Sequence, residues 1–366
     1  MKILVNGYNL RQTSTGIANL VINTLNSFVE NNISVEVVVS PVISEEIKSR
    51  LSDKIELKII GSVRSFKWLM SDFPKYAKKV SSDIIWSPTP LLPNSIFKLK
   101  KPVLVTVNDF VSIEYRKTMT FKGRLITRLL EKRTIKEADF LWCISNYTKS
   151  KLEHYYPIRK CKEIFVGCAP DKNIKRLEIQ SSEDKRSFFS RFKINKNYLL
   201  FVGSLEPRKN LSFLLKLFEV FHKKHDMQLV IVGARNWGNT NLVEIINEKT
   251  FPKADVIFTP FISEKDLMIL YSYASCYVST SLNEGFGLPQ AESMICECPV
   301  VTAHNSAMIE VVAGYGITVE GWNISEWVNA IEIALDKSKE IVEKQNIKAK
   351  SFNWTKIIYN LCEYLK

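Results

Sequence analysis

The second half of the chain alternates between short apolar runs and segments whose apolar residues recur at helical spacing. Residues 198–203 and 228–233 are apolar runs of strand length that end in glycine, and residues 210–222 between them carry one apolar helical face. Continuous apolar runs predict strands buried on both faces, and the helices between them predict parallel crossovers. This half is therefore expected to form a doubly wound α/β domain. The other predicted elements are strands at 256–260, 276–280 and 299–302 and helices at 264–274 and 289–297.

The first half shows the same alternation less regularly. Its polar boundary segment, residues 175–197, lacks periodicity, so we expect domains at 1–178 and 179–340, with residues 341–366 forming a helical segment that packs back on the first domain. Two α/β domains of this kind bind ligands at the carboxyl ends of their strands. The predicted elements of the first half are strands at 2–6, 34–39, 84–86, 102–106 and 140–144 and a helix at 16–29.

The bulk composition narrows the class of protein. The 366 residues are 46% hydrophobic and 24% charged, which is typical of a globular protein of two domains. No run approaches the roughly 18 apolar residues of a membrane-spanning helix, and the first residues are typical of a strand, not of a signal peptide. The seven cysteines are scattered without zinc-type spacing, and the four histidines complete no metal site. We therefore expect a cytoplasmic protein with reduced thiols and no bound metal.

Charge is distributed unevenly along the chain. Residues 1–178 contain 30 Lys and Arg against 17 Asp and Glu, whereas residues 179–366 contain 21 of each, so the net charge of +13 belongs to the first half. This imbalance predicts an anionic partner. Two segments, 58–80 and 116–136, mix basic and aromatic residues, which suits an anionic membrane surface or a lipid diphosphate acceptor; a solvated or core-packed helix face is the alternative. Nucleic acid fits poorly, because no recognition module is visible.

The motif with the most chemical content is the segment 283–292, NEGFGLPQAE. It follows a predicted strand and opens a helix that begins near Pro289. Its glycines let the backbone approach a ligand, and a turn before a helix N-terminus suits a phosphate group. Glu284 and Glu292 fit such a site if they accept hydrogen bonds from hydroxyl groups, which a sugar and a ribose offer. The alternative is a helix turn with solvated glutamates.

A second motif, GSLEPRKNL at 203–211, again joins a strand that ends in glycine to a helix, with Asn210 as the expected N-cap. Arg208 and Lys209 place two cations at this turn, where Arg208 can bind a diphosphate as a fork and Lys209 as a point charge. An ordinary surface Arg–Lys pair is the alternative. The matching position of the glutamate motif favours a shared phosphate site.

The two motifs, their order and their separation resemble the retaining glycosyltransferases of family 4, whose E-x7-E signature is met by Glu284 and Glu292. Residues 300–312 also follow the family pattern. The resemblance is strong over 198–335 and weaker over 1–178. It implies an α/β protein of the GT-B fold, in which two Rossmann-like doubly wound domains face each other across a cleft.

The resemblance assigns a role to each matched residue of the second half. Glu284 would hydrogen-bond the transferred sugar, and Glu292 would hold the ribose hydroxyls. Arg208 and Lys209 would stabilise the departing diphosphate. The remaining positions would bind the donor through the backbone, those of the glycine turn binding sugar and phosphate and two others framing the base: Gly285, Phe286, Gly287 and Leu288, then Phe261 and Ile262.

In the first half the family pattern is met in part. Gly16, at the start of a helix, matches a glycine loop that faces the diphosphate. Asn108 stands where many members have a histidine, and because an amide cannot take a proton near neutral pH, a general-base role at this position is in doubt. Asp109 is the candidate substitute, although the front-face mechanism that the resemblance implies needs no histidine. Ser145 matches a family serine, and a helix N-cap explains it nearly as well. His304 is expected to be structural.

We therefore expect a retaining hexosyltransferase, with GDP-mannose as the favoured nucleotide-diphospho-sugar donor and a saccharide or lipid-linked saccharide of surface polysaccharide synthesis as acceptor. Its catalytic residues would be Arg208, Lys209, Glu284 and Asp109, and no cofactor or metal is expected because the two cations stabilise the leaving group. One alternative is a non-catalytic nucleotide-sugar-binding protein of the same fold. The other is an NAD-dependent oxidoreductase, although the first turn lacks the clustered glycines that dinucleotides require. The expected location is the cytoplasm, including the inner face of the cell membrane.

Overall fold

The computed structural model describes residues 1–11, 15–115, 121–157, 163–233, 242–259 and 262–366. The chain divides into two compact units. The first unit consists of Met1–Lys172 together with Asn353–Lys366, and the second is the continuous segment Asn173–Phe352. The chain therefore leaves the first unit once and returns to it at the end.

The first unit is built on a parallel sheet whose order in the described residues is β3-β2-β1-β4-β5-β6-β7. The chain starts in the middle of this sheet and winds outward in both directions, as in a doubly wound fold. The strands are β1 (Lys2–Asn6), β2 (Ser34–Val39), β3 (Glu56–Ile59), β4 (Ile84–Ser87), β5 (Val103–Val107), β6 (Phe140–Cys143) and β7 (Ile164–Val166). The helices are α1 (Gly16–Glu30), α2 (Glu45–Ser49), α3 (Ser65–Lys67), α4 (Phe73–Lys79), α5 (Asn94–Phe97), α6 (Val111–Glu114), α7 (Phe121–Glu137), α8 (Asn146–Tyr155) and, from the end of the chain, α17 (Trp354–Tyr364).

Helices cover both faces of this first sheet, because successive strand residues point to opposite sides. On one side, Val103 of β5 belongs to a buried cluster with Trp68 and Phe73. On the other side, the ring of Trp86 in β4 meets the ring of Phe28 in α1 edge-on, with centroids 5.8 Å apart. Because both faces of these strands are covered by buried aromatic and branched side chains, the strands appear in the sequence as continuous apolar runs.

Helix α17 completes the first unit. The indole N–H of Trp354 donates to the carbonyl of Pro170 at 2.8 Å, and the hydroxyl of Tyr364 donates to the carbonyl of Glu163 at 2.8 Å. The preceding helix, α16 (Ser338–Ala349), belongs to the second unit instead. The predicted boundaries lie after residues 178 and 340, and the compact units change at residues 172 and 352. The reason is that the amphipathic α16 buries Ile341 in the core of the second unit.

The second unit has its own parallel sheet, with the order β10-β9-β8-β11-β12-β13 in the described residues. Its strands are β8 (Tyr198–Val202), β9 (Gln228–Val232), β10 (Val256–Thr259), β11 (Cys276–Ser279), β12 (Val300–Ala303) and β13 (Ile317–Val319). Besides α16, its helices are α9 (Ser182–Arg191), α10 (Leu211–His222), α11 (Leu242–Ile246), α12 (Glu264–Tyr273), α13 (Leu288–Ile295), α14 (Met308–Val312) and α15 (Ile324–Asp336).

The winding direction of the second sheet reverses between the neighbouring strands β8 and β11. Loops that follow two such strands run to opposite faces of the sheet and leave a ligand-binding crevice at its carboxyl edge. The segments that leave β8 and β11 are the two predicted motifs, 203–211 and 283–292. The predicted fold class, an α/β protein with two Rossmann-like doubly wound parts, is confirmed. None of the helices in the described residues is long and apolar enough to cross a membrane.

Candidate active site

The turn after β8 carries the two predicted cations. Pro207–Lys209 forms a single 3-10 turn, and Asn210 follows with a left-handed backbone (φ 53°). Asn210 occupies the N-cap position of α10, as expected, but its side chain makes no capping hydrogen bond. Its backbone conformation, which asparagine tolerates better than most residues, turns the chain so that Arg208 and Lys209 precede the helix.

The loop after β11 is hydrogen-bonded to this cationic turn. The N–H of Leu282 donates to the carbonyl of Arg208 at 2.8 Å, and the hydroxyl of Thr280 donates to the carbonyl of Lys209 at 3.1 Å. The guanidinium of Arg208 in turn donates to the carbonyl of Asn283. The two motifs, which are separated in sequence, therefore form one structural unit at the carboxyl edge of the sheet.

Glu284 lies at the centre of this arrangement. Its carboxylate is buried, with Oε1 2.5 Å from Nζ of Lys209 and Oε2 2.9 Å from NH1 of Arg208. Burial alone would raise the pKa of the Glu284 carboxyl, but the charges of Lys209 and Arg208 outweigh burial and lower this pKa to about 2. Glu284 is therefore an ionised carboxylate at every physiological pH. The trio itself carries one net positive charge, and a further anion beside it is the exposed Glu206, whose Oε2 lies 3.4 Å from NH2 of Arg208.

Glu292 lies two turns further on, in α13, and is also buried. The hydroxyl of Tyr271 in α12 donates to Oε2 of Glu292 at 3.1 Å. Burial, together with the Glu292 carboxylate, raises the pKa of Tyr271 well above its ordinary value, so the phenol keeps its proton and serves as the donor. Tyr271 thus holds the second glutamate of the motif in one position.

The glycine turn between the two glutamates leads directly into α13. Gly287 has a left-handed backbone (φ 96°) at the N-cap position, and Leu288 is the first residue of the helix, with Pro289 in its first turn. A Cβ at Gly287 would lie 3.2 Å from Oε1 of the buried Gln290, so both the conformation and the space favour glycine here. Helix α13 therefore begins directly after the glycine turn, in the loop region that follows β11.

Phe286 and Ile262 are partly buried and pack on the cluster between α12, α13 and the sheet. The ring of Phe286 lies 6.1 Å from that of Phe352, edge to face. The side chain of Phe286 therefore packs against the interior of the second unit. Contacts of this residue with a ligand would have to come from its backbone. Phe261 lies outside the described residues.

The candidate residues of the first unit also lie at the carboxyl ends of strands. Asn108 follows β5, and its amide donates to the carbonyl of Pro88 at 2.8 Å. Asp109 is exposed, and its carboxylate accepts from the N–H of Val111 at 3.1 Å. Ser145 is the N-cap of α8, accepting from the N–H of Thr148. Gly16 is the exposed first residue of α1, which Thr15 caps.

One group of His, Asp and Glu side chains in the described residues is compact enough to hold a metal ion, namely His222, Asp226 and Asp255. Lys196 already pairs with it, since its Nζ lies 2.6 Å from Asp226 and 3.0 Å from Asp255. The group precedes β9 and β10, at the edge of the sheet opposite Lys209. We interpret it as an ion-pair network. Nδ1 of His304 lies 2.8 Å from the hydroxyl oxygen of Thr318, and we interpret this hydrogen bond as structural.

Two groups that contact the glutamates carry no motif of their own that marks them in the sequence. Tyr271 holds Glu292, and the turn of Asn305 and Ser306 after β12 holds the backbone of Glu284. A buried tyrosine within an amphipathic helix gives no local signal of this contact. The turn lies within the segment 300–312, where the family-like pattern was the available signal.

Known proteins that are similar to this chain in sequence include several glycosyltransferases. Residues 182–352 match the family model "Glycosyl transferases group 1". The O-antigen chain mannosyltransferase B of Escherichia coli is 25% identical over 300 residues, which are 78% of this chain and 73% of that protein. The O-antigen chain mannosyltransferase RfbU of Salmonella typhimurium is 25% identical over 228 residues, 62% of this chain and 59% of that protein. The serotype-specific mannosyltransferase WbdA of E. coli is 24% identical, but that match spans 48% of this chain and only 22% of WbdA.

Solved structures show the same fold over the whole chain. Anabaena Alr3699/HepE in complex with UDP and glucose superposes with a TM-score of 0.76 at 19% identity, covering 100% of this chain and 99% of that one. WaaG, a glycosyltransferase involved in lipopolysaccharide biosynthesis, gives a TM-score of 0.74 at 15% identity and covers 100% of both chains. At these identities the likeness establishes the fold, which is GT-B. The family match over residues 182–352 and the glycosyltransferase relatives identify the chain as a glycosyltransferase whose second unit is similar to the glycosyl transferases group 1 family.

Proposed function

We propose that this glycosyltransferase transfers a hexose, with mannose favoured, from a nucleotide-diphospho-sugar to a saccharide or lipid-linked saccharide, with retention of anomeric configuration. The observation that carries the proposal is the buried Glu284 held between Lys209 and Arg208 at the point where the second sheet reverses. No other group in the described residues combines burial, a surplus positive charge and a helix N-terminus at the carboxyl edge of that sheet.

The surplus positive charge suits a leaving diphosphate. Charge-assisted hydrogen bonds from Arg and Lys to phosphate oxygens are about twice as strong as neutral ones, and a buried site strengthens them further. Arg208 and Lys209 would divide their donors between Glu284 and the diphosphate, since guanidinium has five N–H donors and ammonium three. Because Glu284 and the hydrogen bonds of the 280–284 loop already hold them, they need little reorganisation as negative charge develops.

The two glutamates would read the hydroxyl groups of the donor. A carboxylate offers about four acceptor positions, so Glu284 can accept from a sugar hydroxyl while it stays paired with the two cations. Glu292, which Tyr271 holds, would accept from the ribose hydroxyls. The turn Gly285–Leu288 would contribute backbone amides at the start of α13, where the helix dipole favours an anion. Ile262 and Phe261 would frame the base.

Mannose is favoured because two relatives that align with more than half of this chain are named as O-antigen chain mannosyltransferases. We place GDP-mannose first among the donors for the same reason, and surface polysaccharide synthesis as the setting. The anionic leaving group would accept the proton of the attacking hydroxyl on the same face of the sugar. This step needs no histidine, so the amide at Asn108, which is anchored to Pro88, is compatible with it.

In our proposal the first unit binds the acceptor. Asn108, Asp109 and Ser145 lie at the carboxyl ends of its strands, where ligands of doubly wound sheets bind, and Gly16, the first residue of α1, would face the diphosphate of the donor. Asp109 is the exposed carboxylate among them and can accept a hydrogen bond from an acceptor hydroxyl. Ser145 contributes through its N-cap, which fixes the start of α8.

A panel of nucleotide sugars tests the proposed donor. Each compound is assayed for thermal stabilisation of the chain and for slow hydrolysis, and the anomeric configuration of a transferred sugar is read by NMR. We expect the largest stabilisation and turnover with GDP-mannose and an α-linked product from that α-linked donor. Turnover with a UDP- or dTDP-sugar alone would overturn the donor assignment, and an inverted product would overturn retention.

We also propose that the first unit contacts an anionic lipid surface in the cytoplasm. Residues 1–178 carry the whole net charge of +13, and the segment after β3 exposes large apolar side chains beside cations. Val63 is 62% exposed and Phe66 is 55% exposed, next to the exposed Arg64 and Lys67. Cations that bind lipid headgroups and apolar side chains that enter the interface together support reversible binding.

A further inference from the structure

A short turn after β12 lies against the candidate active site. Ser306 Oγ accepts a hydrogen bond from the backbone N–H of Glu284 at 3.0 Å and donates to Oδ1 of Asn305 at 2.9 Å. The amide of Asn305 donates to the carbonyl of Ser281 at 3.2 Å. Ala307 N–H reaches the carbonyl of Glu284 at 3.4 Å. Both backbone groups of Glu284 are thus bonded to this turn.

Ser306 makes these contacts from an unfavourable backbone conformation. Its φ is +50°, in the left-handed region that non-glycine residues seldom adopt. Such a conformation is strained and persists only where its surroundings fix it. Glycine would fit the backbone without cost but would lack the hydroxyl. A serine at this strained position therefore indicates that its hydroxyl group is needed, and that hydroxyl accepts a hydrogen bond from the backbone of Glu284.

The loop that carries Glu284 is held from two sides. On one side, Arg208 and Lys209 bind it through Leu282 N–H and Thr280 Oγ. On the other side, Ser306 and Asn305 bind it at Glu284 and Ser281. The first set of contacts belongs to β8 and the second to β12, which flank β11 in the sheet. The position of the Glu284 carboxylate therefore depends on both neighbouring strands.

We propose that Ser306, supported by Asn305, is a positioning residue that fixes the backbone of Glu284 so that its carboxylate meets Lys209 and Arg208 together. In this proposal Ser306 acts through the backbone of Glu284 and not through the donor. The inference rests on the proposed role of Glu284 in turnover, and it adds a residue that controls this role. Without the Ser306 hydroxyl, the Glu284 backbone gains freedom, and its two ion pairs become less well defined.

The test variant is Ser306→Gly, which accepts the left-handed backbone and removes the hydroxyl. We expect kcat for donor hydrolysis to fall about tenfold, the upper end of what loss of one neutral hydrogen bond gives, with KM changed less than threefold. The unfolding temperature at pH 7 should change little, because relief of the backbone strain offsets the lost hydrogen bond. A purely structural residue would give the opposite pattern, a lower unfolding temperature with kcat retained.

Two controls isolate the contact. Lys193→Gly makes the same change at another left-handed position (φ 60°), exposed and remote from the site, and it should leave kcat unchanged. In a Glu284→Gln background, Ser306→Gly should lower kcat by less than a further twofold, because two residues that act through one contact are not additive. A full tenfold further loss would show that Ser306 acts independently of Glu284 and would overturn the proposal.

A second measurement does not need activity. The ion pairs lower the pKa of Glu284 in the folded protein, so as the pH drops from 5 to 2 the unfolded chain gains a proton that the folded protein resists, and the unfolding temperature of wild type should fall. In Ser306→Gly this fall should be smaller, because the ion pairs are weaker from the start. Equal acid sensitivity in both proteins together with wild-type kcat would overturn the proposal. If no nucleotide sugar is turned over by wild type, the proposed function fails, while the acid measurement still decides the role of Ser306.

Discussion

Lys209 Nζ lies 2.5 Å from Oε1 of Glu284, although the two residues are 75 positions apart in the chain. They meet because β8 and β11 are neighbours in the second sheet, and each residue follows its strand by a few positions. Removing one partner of such a buried pair leaves an uncompensated charge, which costs about 3–5 kcal/mol. Activity and stability must therefore both be measured for each variant of this ion pair.

We predict that Arg208→Ala and Lys209→Ala each slow sugar transfer by about a hundredfold or more, the scale for loss of a preorganised charge stabiliser. Steady-state kinetics with the donor of highest turnover measures this effect. Lys216→Ala, an exposed cation on the outer side of α10, is the matched control and should keep wild-type kcat. Wild-type turnover in a folded Arg208 or Lys209 variant would contradict the assignment.

Glu284 gives a stability prediction with a defined sign. Its pKa is lowered from 4.5 to about 2 in the folded protein, so it contributes stability above the unfolded value and loses it as the pH falls through about 2. A shift of this size corresponds to about 3 kcal/mol. We expect the free energy of unfolding of wild type to fall between pH 5 and pH 2 more steeply than that of Glu284→Gln. Parallel pH dependences of the two proteins in denaturant titrations would contradict the ion-pair geometry.

Tyr271→Phe removes the hydrogen bond to Glu292 while keeping the buried ring. Hydrogen bonds to charged groups contribute about 1.5–3 kcal/mol, so we expect donor affinity to fall about tenfold with kcat little changed. Tyr198→Phe is the control, because its hydroxyl donates to the carbonyl of Leu270 instead. Calorimetric titration with the nucleoside diphosphate distinguishes the two variants. Equal affinity in Tyr271→Phe and wild type would remove Glu292 from the ribose site.

Transfer should survive EDTA. The proposed leaving-group stabilisers are Arg208 and Lys209, and the acidic group near His222 is already paired with Lys196. We expect the initial rate in EDTA to stay within about twofold of the untreated rate, on the scale of modest screening effects. Full loss of activity on chelation, with recovery on addition of manganese or magnesium, would require a different mechanism.

The exposed apolar side chains of the first unit predict binding to anionic vesicles. Val63→Gln combined with Phe66→Gln should reduce co-sedimentation with phosphatidylglycerol vesicles, and added salt should weaken binding of wild type. Ile347→Gln, in the second unit and 65% exposed, is the matched control. The variants should hydrolyse free donor at the wild-type rate. If the double variant bound vesicles as well as the control does, Val63 and Phe66 would not be part of the membrane contact.

The central strands were predictable from sequence, and the edge strands were not. The strands β3, β7 and β13 were missed, and each lies at an edge of its sheet. They have only three or four residues, mostly half-buried, so no continuous apolar run marks them. β10 is also at an edge, but its sequence VIFT is apolar enough to be recognised.

The candidate site was predictable as a set of residues but not as a set of contacts. Strand–loop–helix patterns place Arg208, Lys209 and Glu284 at one edge of a sheet. Which side chain each of them pairs with depends on strand order, which local periodicity does not give. The same limit hides Ser306, whose partner Glu284 lies on a neighbouring strand's loop.

The return of α17 to the first unit has a consequence for synthesis of the chain. The second unit is one continuous stretch, so it can fold as soon as residue 352 has emerged from the ribosome. The first unit is interrupted, and the indole of Trp354 cannot reach Pro170 until translation has passed the entire second unit. At ~5–20 residues per second, the first unit waits on the order of ten seconds or more for its last helix. During that interval its partly covered core is open to chaperones and proteases, while the second unit is still being synthesised.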